Sequence, residues 1–515
     1  MHRPNLTAAI GALTFLGLVA CGLLTGPPPA TSVPPTIAIV SDTPASPSPL
    51  AATQSPVPPS ATPHSPPPHD IGVRQTAATA EFFHRQTGEK FTPRGANYVF
   101  VPYNGASVTE LLKVGIYDPE RTRRDFGDLA DNGYNTVRVF LDHCNAGPGC
   151  IGDDDNQGLN PAYVDNIADM LAAAREAGLY ILFTSNDLPD QGGYSEQANA
   201  QAGPDFAGYR NSYYLTPGAV EATRRYWRDL LTGLNARAAA TDRVLGWQLL
   251  NEQWMFIDQP PLSLTAGTVE TTTGAYDMSD PEQKRRMVSD GLIYYIAQVK
   301  EEILTHDPSA LVTMGFFAPG AAPGWYIDTA PLLAGADLDF FDFHAYPGRQ
   351  TLDELTPAFG MDGYNAKPII LGEFGAFRHI YPAITSAGRA VANWQAESCA
   401  DGFDGWLYWT YYPAGARAGD NTWGLLDESR FLLNLLAPAT HPDPCLAVAV
   451  PGDNLAYQKP VRASATLPAE PPENAVDENA ASSWSAGSDP PQWIEVDLGQ
   501  AYRLTGIRLL NDSKE

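Results

Sequence analysis

Short apolar runs alternate with amphipathic stretches from residue 73 to about 445, the alternation expected of repeated strand–helix units around a parallel sheet. Eight runs read as strands, at 94–98, 136–141, 180–184, 244–250, 311–316, 340–343, 368–371 and 405–410. Between them apolar positions recur at helical spacing over 161–177, 219–238, 280–306 and 387–400. Eight such units predict an α/β fold closed as a (β/α)8 TIM barrel, for which about 370 residues is a comfortable length. An open doubly wound sheet is the rival architecture, but no Gly-rich phosphate loop follows the first strand.

The flanks follow other patterns. Residues 1–21 carry a short positive head (His2, Arg3) and an apolar run ending at Cys21, which reads as an export signal, shorter than the roughly 20 apolar residues of a spanning helix. The sequence LVAC resembles the bacterial lipoprotein cleavage box, and the resemblance implies an acylated Cys21 as the mature first residue, with a lipid anchor in a membrane. An ordinary secreted protein with an incidental cysteine is the other reading. Residues 22–72 are dominated by Pro, Ser, Thr and Ala, a composition that buries too little surface to fold and makes a disordered, partly polyproline II tether. The expected location is extracellular, at a bacterial cell surface.

Composition narrows the function. A chain of 515 residues, 44% of them hydrophobic, can bury a large core and carry appended modules. Its formal net charge of -27 repels polyphosphate backbones, so nucleic acid is not an expected partner. Charged residues are 18% and aromatics 10%, a balance suited to stacking on neutral polymers, and a monomer is expected. Four cysteines remain beyond Cys21, an even number in an exported chain. Of the three possible pairings, Cys144 with Cys150 closes a short Gly/Pro loop and Cys399 with Cys445 pins the barrel's end. Zinc ligation is the rival, without any C-x-x-C spacing to support it.

On a barrel of this kind chemistry is done at the C-terminal ends of the strands. The run GWQLLNE ends the fourth strand with Asn251 and Glu252, and IILGEFG ends the seventh with Glu373. Two carboxylates on one rim suit glycosidic cleavage, and in a retaining enzyme they stand about 5 to 5.5 Å apart, one as acid/base and one as nucleophile. Either glutamate taken alone reads more simply as a structural ion-pair partner.

The pair NE and GEFG resembles the clan A glycoside hydrolases, especially glycoside hydrolase family 5 of cellulase and β-mannanase type. RGAN at residues 94–97, NTVRVF with Arg138, DFHAY with His344 and Tyr346, WLYWT with Trp409 and WGLLD near Trp423 follow in that family's order. By that resemblance Glu252 is the acid/base and Glu373 the nucleophile, with Arg138 and Tyr346 keeping the nucleophile ionised. Asn251 would hold the sugar 2-hydroxyl, His344 would sit by the acid/base, and Trp409 would be the sugar platform. No cofactor and no metal are implied. The chain departs from the family after the third strand, where ILFTSNDLPDQGGY lacks the usual histidine. Its GGY segment at residues 192–194 resembles β-mannanase-type loops and tilts the expected substrate toward β-1,4-mannan or a related β-glucan. Trp254, Trp325, Tyr411, Tyr412 and Trp423 are further cleft candidates, with the core as their other destination.

After Cys445 the segments NLAYQKPVRASA, ENAVDENAASSW and PQWIEVDLGQAYRLTGIRLL resemble a discoidin-like, family 32 carbohydrate-binding module over residues 450–515, with Asp477, Trp484, Trp493 and Asp497 at motif positions. Residue 515 falls partway through such a module, so an incomplete β-sandwich is expected there and no sugar or calcium site is assigned. The reading is an endo-acting retaining hydrolase of β-linked polysaccharide. Its rivals are a non-catalytic surface glycan-binding protein, a transglycosylase on the same barrel, and a transporter's solute-binding lipoprotein.

Overall fold

The computed structural model describes residues 65–155, 157–200, 206, 209–320, 324–414, 421–450, 454–504, 507 and 509. The export signal, Cys21 and the tether as far as residue 64 lie outside the described residues. Eight parallel staves follow: β1 (Arg94–Asn97), β2 (Thr136–Phe140), β3 (Tyr180–Thr184), β4 (Val244–Gln248), β5 (Val312–Thr313, continued as Gly315–Phe317), β6 (Phe341–His344), β7 (Ile369–Phe374) and β8 (Gly405–Tyr408). Each pairs in parallel with its neighbours, and β8 returns to β1 through Trp406 and Arg94. The ring closes at β5, whose first half pairs with β4 (Val312 with Trp247) and whose second half pairs with β6 (Gly315 with Asp342). β2, β3, β4 and β7 are buried along their whole length, as a parallel strand covered on both faces must be, which is why apolar residues dominate their sequences.

A helix follows each stave: α1 (Pro119–Asp131), α2 (Pro161–Ala177), α3 (Pro217–Ala236), α4 (Pro281–His306), α5 (Ala330–Gly335), α6 (Leu352–Phe359), α7 (Ile384–Ser398) and α8 (Asp427–Leu436). The first four start alike. Asp118, Asn160, Thr216 and Asp280 each accept a backbone N–H of the first turn, and a proline comes next. The cap satisfies an otherwise unpaired donor, for about 1 kcal/mol, while proline has no N–H to leave unpaired and a backbone angle already set for the helix.

An antiparallel sheet of Ile71–Gln75, Ala80–His84 and Lys90–Phe91 floors the barrel. Ile71, Phe82 and Phe91 pack there with Leu182, Leu245, Leu311, Phe340, Ile370 and Leu407. The first strand of this sheet, Ile71–Gln75, spans the expected boundary at residue 73. His69 is already buried, its ring bonded to Asp307 Oδ2 at 2.8 Å and Val244 O at 2.9 Å. Disulfides join Cys144 to Cys150 and Cys399 to Cys445, with Cα atoms 4.9 and 5.6 Å apart.

From residue 454 onward the described residues form one two-stranded antiparallel sheet, Val461–Ala463 with Ile494–Val496, and no complete sandwich. This segment is seated on the barrel. Arg389 of α7 bonds Glu478 at 2.7 Å and Val450 O at 2.9 Å and lies 4.0 Å over the Tyr457 ring, while Ala480 N donates to Ile380 O at 2.9 Å. Among the described residues no helix is long and apolar enough to cross a membrane.

Candidate active site

Six of the residues singled out by sequence converge at the C-terminal rim. Arg138 projects from β2, Asn251 and Glu252 follow β4, His344 ends β6 with Tyr346 two residues on, and Glu373 lies near the end of β7. The upper pairing of β6 with β7 slips by one residue, Phe343 facing Leu371 and His344 facing Glu373, so Gly372 is the extra residue. A bulge of this kind re-aims the side chain beside it. Asn251 is set by close backbone approach, because a Cβ on Gly315 would lie 1.8 Å from Asn251 O.

One oxygen of Glu252, one of Glu373 and one ring nitrogen of His344 all lie within 4.8 Å of one another. His344 Nδ1 is 2.9 Å from Glu252 Oε1 and 3.6 Å from Glu373 Oε1. Arg138 Nη1 donates to Glu373 Oε1 at 2.8 Å, and the Tyr346 hydroxyl donates to Glu373 Oε2 at 2.9 Å. The Arg138 guanidinium also donates to Asn97, Gln248 and Asn251 at 2.9, 2.9 and 2.7 Å, so the planar fork is fixed on every side. Positive charge beside Glu373 is thus supplied by the protein. Glu373 is buried, whereas the Glu252 side chain keeps 16% of its surface exposed.

Burial pushes the Glu373 carboxyl up to about 7, helped by the Glu252 charge and opposed by His344, Arg138 and the Tyr346 hydrogen bond. Removal from water thus competes with the donors that the family resemblance casts as keeping this carboxyl ionised. At His344 the balance runs the other way. Burial disfavours the cation, yet Glu373, Asp342 and Glu252 together push the imidazole up to about 10.

Trp409 ends β8 and is 7% exposed, edge-on to Phe100 and Phe140 and grouped with Val99 and Tyr346. It borders the site with most of its ring packed. Tyr411, Tyr412 and Trp423 are core residues, bonded to Asp128, Asp125 and Tyr381 O. Trp254 and Trp325 stay part-exposed and stack at 4.7 Å, and the Arg210 guanidinium covers Trp254 at 4.0 Å, so that indole has neither face free for a sugar.

Sequence reasoning assigned no role to three buried polar residues of the site: Asn97, which bridges Arg138 and Gly372 O, Gln248, which joins Arg138 to Asp342, and Asp342 itself. A partial signal is present: Gln248 ends the otherwise apolar VLGWQ, Asp342 stands between Phe341 and Phe343, and Asn97 ends RGAN. Asp142, past the end of β2, is also buried; it accepts from Ser185 Oγ and Asn186 N, and burial raises it to about 7.

Residues 460–515 match the F5/8 type C domain family, where the sequence reads as discoidin-like. No curated protein matches the chain. Among solved structures the chain is similar to an endo-1,4-β-mannanase from Rhizomucor miehei, at 18% identity and a TM-score of 0.49, over 72% of this chain and 100% of that one. A β-mannanase from the blue mussel Mytilus edulis matches at 14% identity and TM-score 0.43, covering 74% and 99% of the two chains. An endocellulase from Pyrococcus horikoshii matches at 13% identity and TM-score 0.44, covering 72% and 99%.

Proposed function

We propose that this chain is a retaining glycoside hydrolase of β-linked polysaccharide, with Glu252 as acid/base and Glu373 as nucleophile. The observation that carries the reading is the approach of Glu252 and Glu373 oxygens to within 4.8 Å on one rim. A double displacement needs this closeness, whereas an inverting pair stands about 6.5 to 9.5 Å apart to admit a water.

In the first step the Glu252 carboxyl gives its proton to the glycosidic oxygen while a Glu373 oxygen attacks the anomeric carbon. The bond to the leaving sugar breaks and a glycosyl ester forms. In the second step Glu252 takes a proton from water, whose oxygen displaces Glu373. The exposed edge of Glu252 suits the residue that must meet water. Asn251 would bond a sugar hydroxyl beside the nucleophile, and Trp409 would pack the sugar ring. The substrate we favour is β-1,4-mannan or a related β-glucan, cleaved internally, on the strength of the GGY loop at residues 192–194. A lipid on Cys21 would hold the enzyme, as a monomer, at a bacterial cell surface.

Incubating the protein with mannan, glucomannan, mixed-linkage glucan and cellulose, with the products sized, tests the reading. Short oligosaccharides from a β-linked polymer are expected. Products longer than an oligosaccharide substrate would point to transglycosylation, and no product from any of them would remove the proposal.

A further inference from the structure

A third carboxylate lies beneath the catalytic pair. Asp342 is fully buried on β6, two residues before His344. Its Oδ2 accepts from Gln248 Nε2 at 2.5 Å and stands 3.5 Å from His344 Nε2 and 3.6 Å from Arg138 Nε. Room is kept for it: a Cβ on Gly372 would lie 1.9 Å from Asp342 Oδ1, so the bulge residue before Glu373 carries no side chain. A buried carboxylate is costly without positive charge nearby. The groups around it that can supply charge are Arg138 and His344, and Gln248 is neutral.

His344 is therefore flanked at both nitrogens. Glu252 and Glu373 face Nδ1 at 2.9 and 3.6 Å, and Asp342 faces Nε2 at 3.5 Å. A neutral imidazole carries a proton on one nitrogen and would turn a lone pair toward a carboxylate at the other, whereas the imidazolium presents N–H at both. Three carboxyl groups, with Glu252 carrying the acid proton before the first step, are then set against two cations, Arg138 and His344. We propose that Asp342 is a positioning residue that keeps His344 doubly protonated and thereby holds Glu252 and Glu373 around one N–H. The upward shift of His344 to about 10 agrees with this arrangement. The kinetic consequence rests on the glycosidase reading; the protonation of His344 does not.

Imidazole nitrogen NMR of the 15N-labelled full chain tests it, with the His344 signals assigned by their loss in His344→Gln. In the unsubstituted protein His344 should hold both protons through neutral pH, and a neutral ring there would overturn the proposal. In Asp342→Asn, which keeps the size and the acceptor for Gln248, the His344 midpoint should fall by about one pH unit or more. The kcat/KM pH profile on an aryl β-glycoside should shift with it, with KM little changed. An unaltered His344 titration and a superimposable profile in a folded Asp342→Asn protein would also overturn it. Should that variant fail to fold, the titration of the unsubstituted chain decides the matter. Failure of every glycoside to turn over would count against the glycosidase reading and leave the NMR result standing.

Discussion

The Tyr346 hydroxyl donates to Oε2 of Glu373 at 2.9 Å, on the oxygen that Arg138 does not hold. Both Glu373 oxygens are therefore fixed, by donors from β2 and from just past β6. Removing the phenol hydroxyl deletes one hydrogen bond to a charged acceptor, about 1.5–3 kcal/mol, so kcat/KM of Tyr346→Phe should fall about 10- to 150-fold. Steady-state kinetics on an aryl glycoside checks this, and an unchanged kcat/KM would show that the contact does not matter to turnover.

If Glu373 is the nucleophile proposed above, its carboxyl, pushed up to about 7, should set the acid side of the pH profile. Below that value it binds a proton and cannot attack; above it the carboxylate is free to do so. The kcat/KM profile should therefore lose about tenfold per pH unit as pH falls through about 7. Tyr346→Phe should move the same limb upward, because the lost donor favours the ionised form. An acid limb at the ordinary carboxylate value would contradict the burial argument.

The two disulfides should differ in worth. Cross-linking limits the unfolded chain more for the longer loop, and the separations are 46 residues for Cys399–Cys445 and 6 for Cys144–Cys150. Chain entropy assigns about 4 kcal/mol to the first and about 2 kcal/mol to the second. Urea unfolding of Cys399→Ala/Cys445→Ala and Cys144→Ala/Cys150→Ala should show that order, and equal losses would refute it.

The Arg389–Glu478 pair keeps only 11% and 12% of its side-chain surface exposed, so water screens it weakly. A double-mutant cycle with Arg389→Ala and Glu478→Ala, followed by thermal unfolding, should give a coupling above about 1 kcal/mol, the upper end for exposed pairs. A coupling near zero would mean that the C-terminal segment is not held there.

Much of the barrel is readable along the chain because a parallel stave buried on both faces is written as a mostly apolar run, as at 136–140, where Arg138 is the one charged residue, and at 180–184. The interruption of β5 at Met314 is not readable, since it depends on which neighbour each half meets. Helix α1 escapes the apolar pattern, with Arg121, Arg123 and Arg124 crowding its first turns, although Asp118–Pro119 is the same start signal that opens α2, α3 and α4. At the site, local motifs mark the residues at stave ends. Asn97, Gln248 and Asp342 hide because their meaning lies in partners 41 to 275 residues away. The fate of the aromatics is likewise tertiary: nothing near Tyr411 and Tyr412 in the chain announces that Asp128 and Asp125 will bury them.

The decisive step of the proposed reaction is a bond from Glu373 to the anomeric carbon. A 2-deoxy-2-fluoro β-glycoside with a good leaving group slows hydrolysis of that ester, so the intermediate can be weighed. Mass spectrometry of the digested protein should find one added glycosyl unit, on the peptide bearing Glu373. Continued turnover with no adduct, or an adduct on another residue, would contradict the assignment.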